Sequence, residues 1–82
     1  MKAVTMDVLN IENPEEKLFG VKIKVSKNRD IFLMKDKSIR CSKFKSEAHE
    51  WADKANEMLI AKPELQQVFN ENKTIKVFTM RD

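Results

Sequence analysis

Few of the residue types that carry chemistry occur in this chain. There is one cysteine, one histidine and no tyrosine. A lone cysteine cannot form an internal disulfide, so nothing points to an oxidising compartment. One Cys and one His fall short of the ligand set of a structural zinc site. A nucleophile needs a base and an orienting group, and the sequence identifies neither beside Cys41 or His49. The single glycine, Gly20, sits inside an apolar alternation, so there is no glycine-rich phosphate loop. With one Gly and two Pro, long flexible linkers are not expected. No apolar run approaches the roughly 20 residues needed to cross a bilayer. The start of the chain also lacks the continuous apolar block of a signal peptide. The expectation is one cytoplasmic domain over residues 1–82 with no catalytic residues, cofactor, metal site or membrane partner.

Charge is plentiful and unevenly placed. The formal net charge is +3. Between residues 17 and 45, however, ten basic residues face only Asp30 and Asp36, a balance of +8. The flanking segments are mildly acidic. Such asymmetry points to an anionic partner.

The clearest element lies between Phe44 and Ala61. Ala48, Trp51, Ala52, Ala55, Met58 and Leu59 form one apolar stripe at helical spacing. Ser46 is the expected N-cap, Phe44 the expected staple onto the helix, and Pro63 ends it. Small alanines around one Trp predict a helix lying close on a sheet, with Trp51 at the centre of the core. Glu47, Glu50, Asp53 and Glu57 make the opposite face acidic, which steers an anionic ligand toward the sheet. His49 falls on the polar side as a surface residue.

Elsewhere the alternation has period two. Val4, Met6 and Val8 predict a first strand with one buried face, bulged near Leu9, and Asn13–Glu16 a turn. From Lys17, the residues Phe19, Val21, Ile23 and Val25 point inward, with Lys22, Lys24 and Ser26 outward. A turn at Lys27–Asp30 leads to a strand at Ile31–Met34, apolar on both faces. Ile39–Ser42 is a short strand with Ile39 and Cys41 inward and Arg40 outward. Leu65, Val68 and Phe69 predict a second short helix. Thr74–Met80 predicts a closing strand, placed beside the first, with Ile75 and Val77 on one face. The fold class is α+β: a mainly antiparallel sheet in the order β-β-β-β-α-α-β, with the helices packed on one face.

On that layout Lys22, Lys24 and Arg40 share the sheet face opposite the helices, with Phe32 and Met34 emerging among them. Lys27, Arg29, Lys35, Lys37 and Lys43 surround it. Cations neutralise phosphates, and an aromatic ring can stack on an unpaired base. The expected function is therefore non-enzymatic nucleic-acid binding, with RNA or single-stranded DNA ahead of duplex. The nine expected contact residues are Lys22, Lys24, Lys27, Arg29, Phe32, Lys35, Lys37, Arg40 and Lys43. The alternative is a protein-interaction module that inhibits or adapts a host nuclease, toxin or polymerase component, on Phe32, Phe78 and Met80, which alternation leaves exposed, with Phe32 and Met34 also suited to a homodimer contact.

The run of Lys-bearing strands, followed by Lys43-Phe44-Lys45-Ser46-Glu47-Ala48 and Trp51, resembles the arm-site DNA-binding domain of phage-type tyrosine integrases. The resemblance covers residues 19–59 and implies a sheet that enters a DNA groove. The leading strand, second helix and closing strand depart from that pattern. In general character the chain is also similar to small Lys-rich accessory proteins of T-even-type phages, which implies action on host machinery.

Overall fold

The computed structural model describes residues 1–80. Within them the chain forms β1 (Lys2–Val8), β2 (Leu18–Ser26), β3 (Arg29–Lys35), β4 (Ser38–Ile39), α1 (Lys45–Ala61), α2 (Pro63–Glu71) and β5 (Val77–Phe78). This is the α+β order expected from the sequence. β1 to β4 pair antiparallel in sequence order.

The core lies between the sheet and the helices. Val21, Ile23, Ile31 and Leu33 are fully buried on the sheet side, and Ala48, Trp51, Ala52, Ala55 and Leu59 answer from α1. The three alanines let the α1 backbone approach the sheet closely. Trp51 is 7% exposed, as its position in the stripe requires. From α2, Phe69 completes the cluster, its ring 6.3 Å from that of Phe78.

The start of α1 differs from expectation. Phe44, not Ser46, is the N-cap, and Ser46 sits in the first turn. The hydroxyl that orders this entry is Ser42 Oγ, which accepts from the Phe44 N–H at 3.1 Å. Phe44 is 66% exposed, so it forms no staple onto the helix.

β4 turns back on the β2 side of β3, through Asp36, whose left-handed backbone (φ 58°) suits an aspartate in a two-residue turn. The Arg40 N–H donates to the Leu33 carbonyl at 3.0 Å, and Ser42 exchanges two hydrogen bonds with Phe19. The returning strand thus wedges between the ends of β2 and β3, where Gly20 makes room. A Cβ at Gly20 would stand 3.0 Å from the Arg40 carbonyl oxygen and 3.0 Å from a Val8 methyl. That is the backbone approach a glycine inside a strand often marks.

The wedge reverses the expected facing of the segment. Ile39 pairs with Met34 and lies over Gly20, on the face away from the helices. Cys41 is exposed rather than buried. Arg40 turns toward the helices, its guanidinium carbon 4.4 Å from the centre of the Trp51 ring.

β5 is shorter than expected and lies beside β3, parallel to it, rather than beside β1. The physical reason is edge availability. With β4 on the β2 side, the other edge of β3 is open, and the Phe32 N–H there donates to the Lys76 carbonyl at 3.0 Å. At β1 the edge is closed at Ala3 by the Asn56 carboxamide of α1. Asn56 Oδ1 accepts from the Ala3 N–H at 2.8 Å, and Nδ2 donates to the Ala3 carbonyl at 3.0 Å. The β5 register, Leu33 beside Phe78, turns Phe78 into the core and leaves Val77 exposed.

Candidate interaction face

Both helices lie on one side of the sheet, so the other side is uncovered among the described residues. Its composition follows from the register. Val4 pairs with Lys22, Met6 with Gly20 and Val8 with Leu18. The three β1 side chains expected to be buried under the helix therefore face away from it, while Ala3 and Thr5 face the core. Alternation sets the phase of a strand, and pairing with β2 decides which phase meets the helix.

Across this face run ordered rows. Val4, Lys22, Phe32 and Val77 are successive partners on β1, β2, β3 and β5. One row beyond lie Lys2, Lys24 and Asp30, with Lys22 Nζ 3.7 Å from Asp30 Oδ2. In the other direction come Met6, Met34, Ile39, Val8 and Leu18, all half-buried. The face is thus basic at one end and apolar through its middle and far end. There it runs into a 350 Å³ cavity where Val8, Leu9, Pro14 and Leu18 share the lining with Asp7, Asn10, Glu16 and Lys17. Leu9 and Ile11 stand 74% and 85% exposed in the adjoining loop. That loop is held by the Asn10 side chain, which accepts from the N–H groups of Glu12 and Asn13 and donates to Glu16.

Of the nine residues expected to form a nucleic-acid surface, the structure brings Lys22, Lys24 and Phe32 together on the open face. Lys27 is exposed in the β2–β3 turn at its basic end, and Lys37 is exposed in the turn after β3. The others are placed differently. Arg29 reaches around to the helix side, and its guanidinium donates to the carbonyls of Phe69, Asn72 (2.6 Å) and Ile75 (2.6 Å). Its donors are spent on tying the end of α2 to β3. Lys35 lines a 280 Å³ cavity with Arg40, Glu47 and Trp51, also on the helix side. Lys43 stands before α1 and pairs with Glu16 at 2.8 Å. The hydrogen bond to Glu16, and then its charge, raise the lysine above its ordinary pKa. The expected Lys22/Lys24/Arg40 triad is therefore divided between faces, because the Gly20 wedge inverts β4.

Sequence reasoning missed Val4, Met6, Val8, Ile39 and Val77 as surface residues. Only the pairing register shows that they share the open face. Among the described residues no group of three or more His, Cys, Asp or Glu is placed to hold a metal. Nor is any described helix long and apolar enough to cross a membrane. No family model, curated protein or solved structure matches the chain.

Proposed function

We propose that this chain is a non-enzymatic binding module, acting in the cytoplasm, that docks a protein partner on the open face of its sheet. The observation that carries this is the make-up of that face: apolar side chains from β1 to β5 share it, with lysines gathered at one end. An apolar centre with a polar rim is how protein interfaces are built. The lysines Lys2, Lys22 and Lys24 fit a partner with acidic residues flanking an apolar patch, as an inhibitor or adaptor of a host macromolecule would meet. A single cysteine, exposed and unpaired with another, is compatible with a reducing compartment.

Nucleic acid is the second candidate, and a specific observation favours it. Phe32 is the direct cross-strand neighbour of Lys22, a ring beside a cation on an open sheet. The integrase resemblance would use this same face in a DNA groove.

One experiment separates the two. Tagged protein is used to capture partners with and without nuclease, alongside Val4→Asp/Phe32→Asp and Lys22→Glu/Lys24→Glu variants and an Ile60→Asp control on the exposed side of α1. A protein partner retained after nuclease, lost with Val4→Asp/Phe32→Asp and kept with Ile60→Asp, is the expected result. Binding of a short single-stranded oligonucleotide that falls steeply with salt and vanishes in the Lys22→Glu/Lys24→Glu variant would give the face to nucleic acid instead. Partners indifferent to both open-face variants would overturn the proposal.

A further inference from the structure

A further cavity lies on the helix side, away from the open face. It measures about 440 Å³ and is lined by Arg40, Glu50, Trp51, Lys54, Met58, Lys62, Thr79 and Met80. That volume is within the range of small-molecule sites, which combine an apolar lining with a few convergent polar groups. Here Met58, Met80 and Trp51 supply the apolar part. The cations come from two elements. Glu50, Lys54, Met58 and Lys62 recur every four residues and so lie along one flank of α1 and its end. Arg40 arrives from the inverted β4 segment and lies against the Trp51 ring.

The charge of this cavity is not one the fold asks for. Lys54 is exposed in mid-helix and Lys62 follows the last turn, and neither forms part of the core. Yet both line one cavity with Met58, Met80 and Trp51, and among the described residues Glu50 is the acid that lines it. Like charges gathered around a low-dielectric wall raise the local potential for an anion. We propose that the cavity is a binding site for a small amphipathic organic anion. Its apolar body would lie on Met58 and Met80, and its carboxylate, sulfonate or phosphate would be held by Lys54 and Lys62. Arg40 serves as wall, since its guanidinium already covers Trp51.

The chain carries its own reporter, because Trp51 is the only tryptophan. The intact protein is titrated with octanoate and with 8-anilinonaphthalene-1-sulfonate while Trp51 emission is followed. Octyltrimethylammonium serves as a cation with the same apolar body. Both anions should give a saturable change, and the cation none. Lys54→Glu/Lys62→Glu should weaken anion binding by about tenfold or more, equivalent to about 1.4 kcal/mol. Lys22→Glu/Lys24→Glu on the open face should leave it unaltered. Lys54→Gln/Lys62→Gln, which removes charge without adding repulsion, should also weaken it while melting as the wild type does. Equal binding of anion and cation, or wild-type affinity in the Gln variant, would overturn the site.

Discussion

Arg29 shows how one side chain of the basic segment is turned to structural use. It stands at the first position of β3, its side chain on the helix side, and reaches three carbonyls at and beyond the end of α2. Carbonyls in the last turn of a helix lack intrahelical partners, and a planar guanidinium with five donors can serve several at once. A hydrogen bond to a charged group is worth about 1.5–3 kcal/mol. The Asn72 contact is exposed, so the three do not add in full. Arg29→Ala should therefore cost on the order of 3 kcal/mol, read as a lower urea midpoint with an unchanged slope. Arg29→Lys should restore less than half of the loss, since one ammonium cannot span three carbonyls. Arg29→Ala should also leave partner capture intact wherever the variant is folded. Loss of binding at wild-type stability would mean that Arg29 contacts the partner after all.

Among the elements, α1 was legible in the sequence because its stripe is long and its alanines are small. Its entry was not, because Ser46 has the chemistry of a cap, yet the helix starts at Lys45 with Phe44 as N-cap and no side-chain cap. β2 was legible as well, its inward set Phe19, Val21 and Ile23 being the most regular in the chain. The facing of β1 and β4 was not. Both faces of the sheet carry apolar residues, so alternation alone cannot say which side the helices cover. Gly20 was the available signal, a missing side chain inside a strand where another backbone comes close. The β1 edge gives an element-scale prediction. Asn56 pairs both backbone groups of Ala3, and an unguarded edge is a template for strand addition. Asn56→Ala should cost about 1 kcal/mol and lower the concentration at which the protein aggregates on warming, as followed by light scattering. Asn56→Asp keeps the acceptor for the Ala3 N–H but sets a carboxylate against the Ala3 carbonyl, and should melt no higher than Asn56→Ala. Unchanged melting and aggregation in both variants would remove the edge-guard role.

At the scale of the whole molecule, the question is whether the open face serves the fold or a partner, and neighbouring residues of β3 can answer it. Leu33 is fully buried under the helices, whereas Phe32 is half-buried on the open face between Lys22 and Val77. Truncating a buried leucine removes transfer energy and leaves a cavity, so Leu33→Ala should cost about 2–5 kcal/mol. Phe32 gains chiefly from cross-strand contacts, worth about 0.2–1 kcal/mol each, and its replacement opens no cavity. Phe32→Ser should therefore cost about 1 kcal/mol, while a comparable change in the core leaves a small domain close to unfolding, given a total of roughly 5–15 kcal/mol. The same variant should be more soluble than the wild type, because it shrinks an exposed apolar patch. Urea melts of the two variants, with sedimentation velocity over a range of concentrations, make the comparison. A Phe32→Ser cost equal to that of Leu33→Ala, together with a dimer that dissociates in the variant, would show the face already buried against a second copy. The partner in question would then be this chain itself.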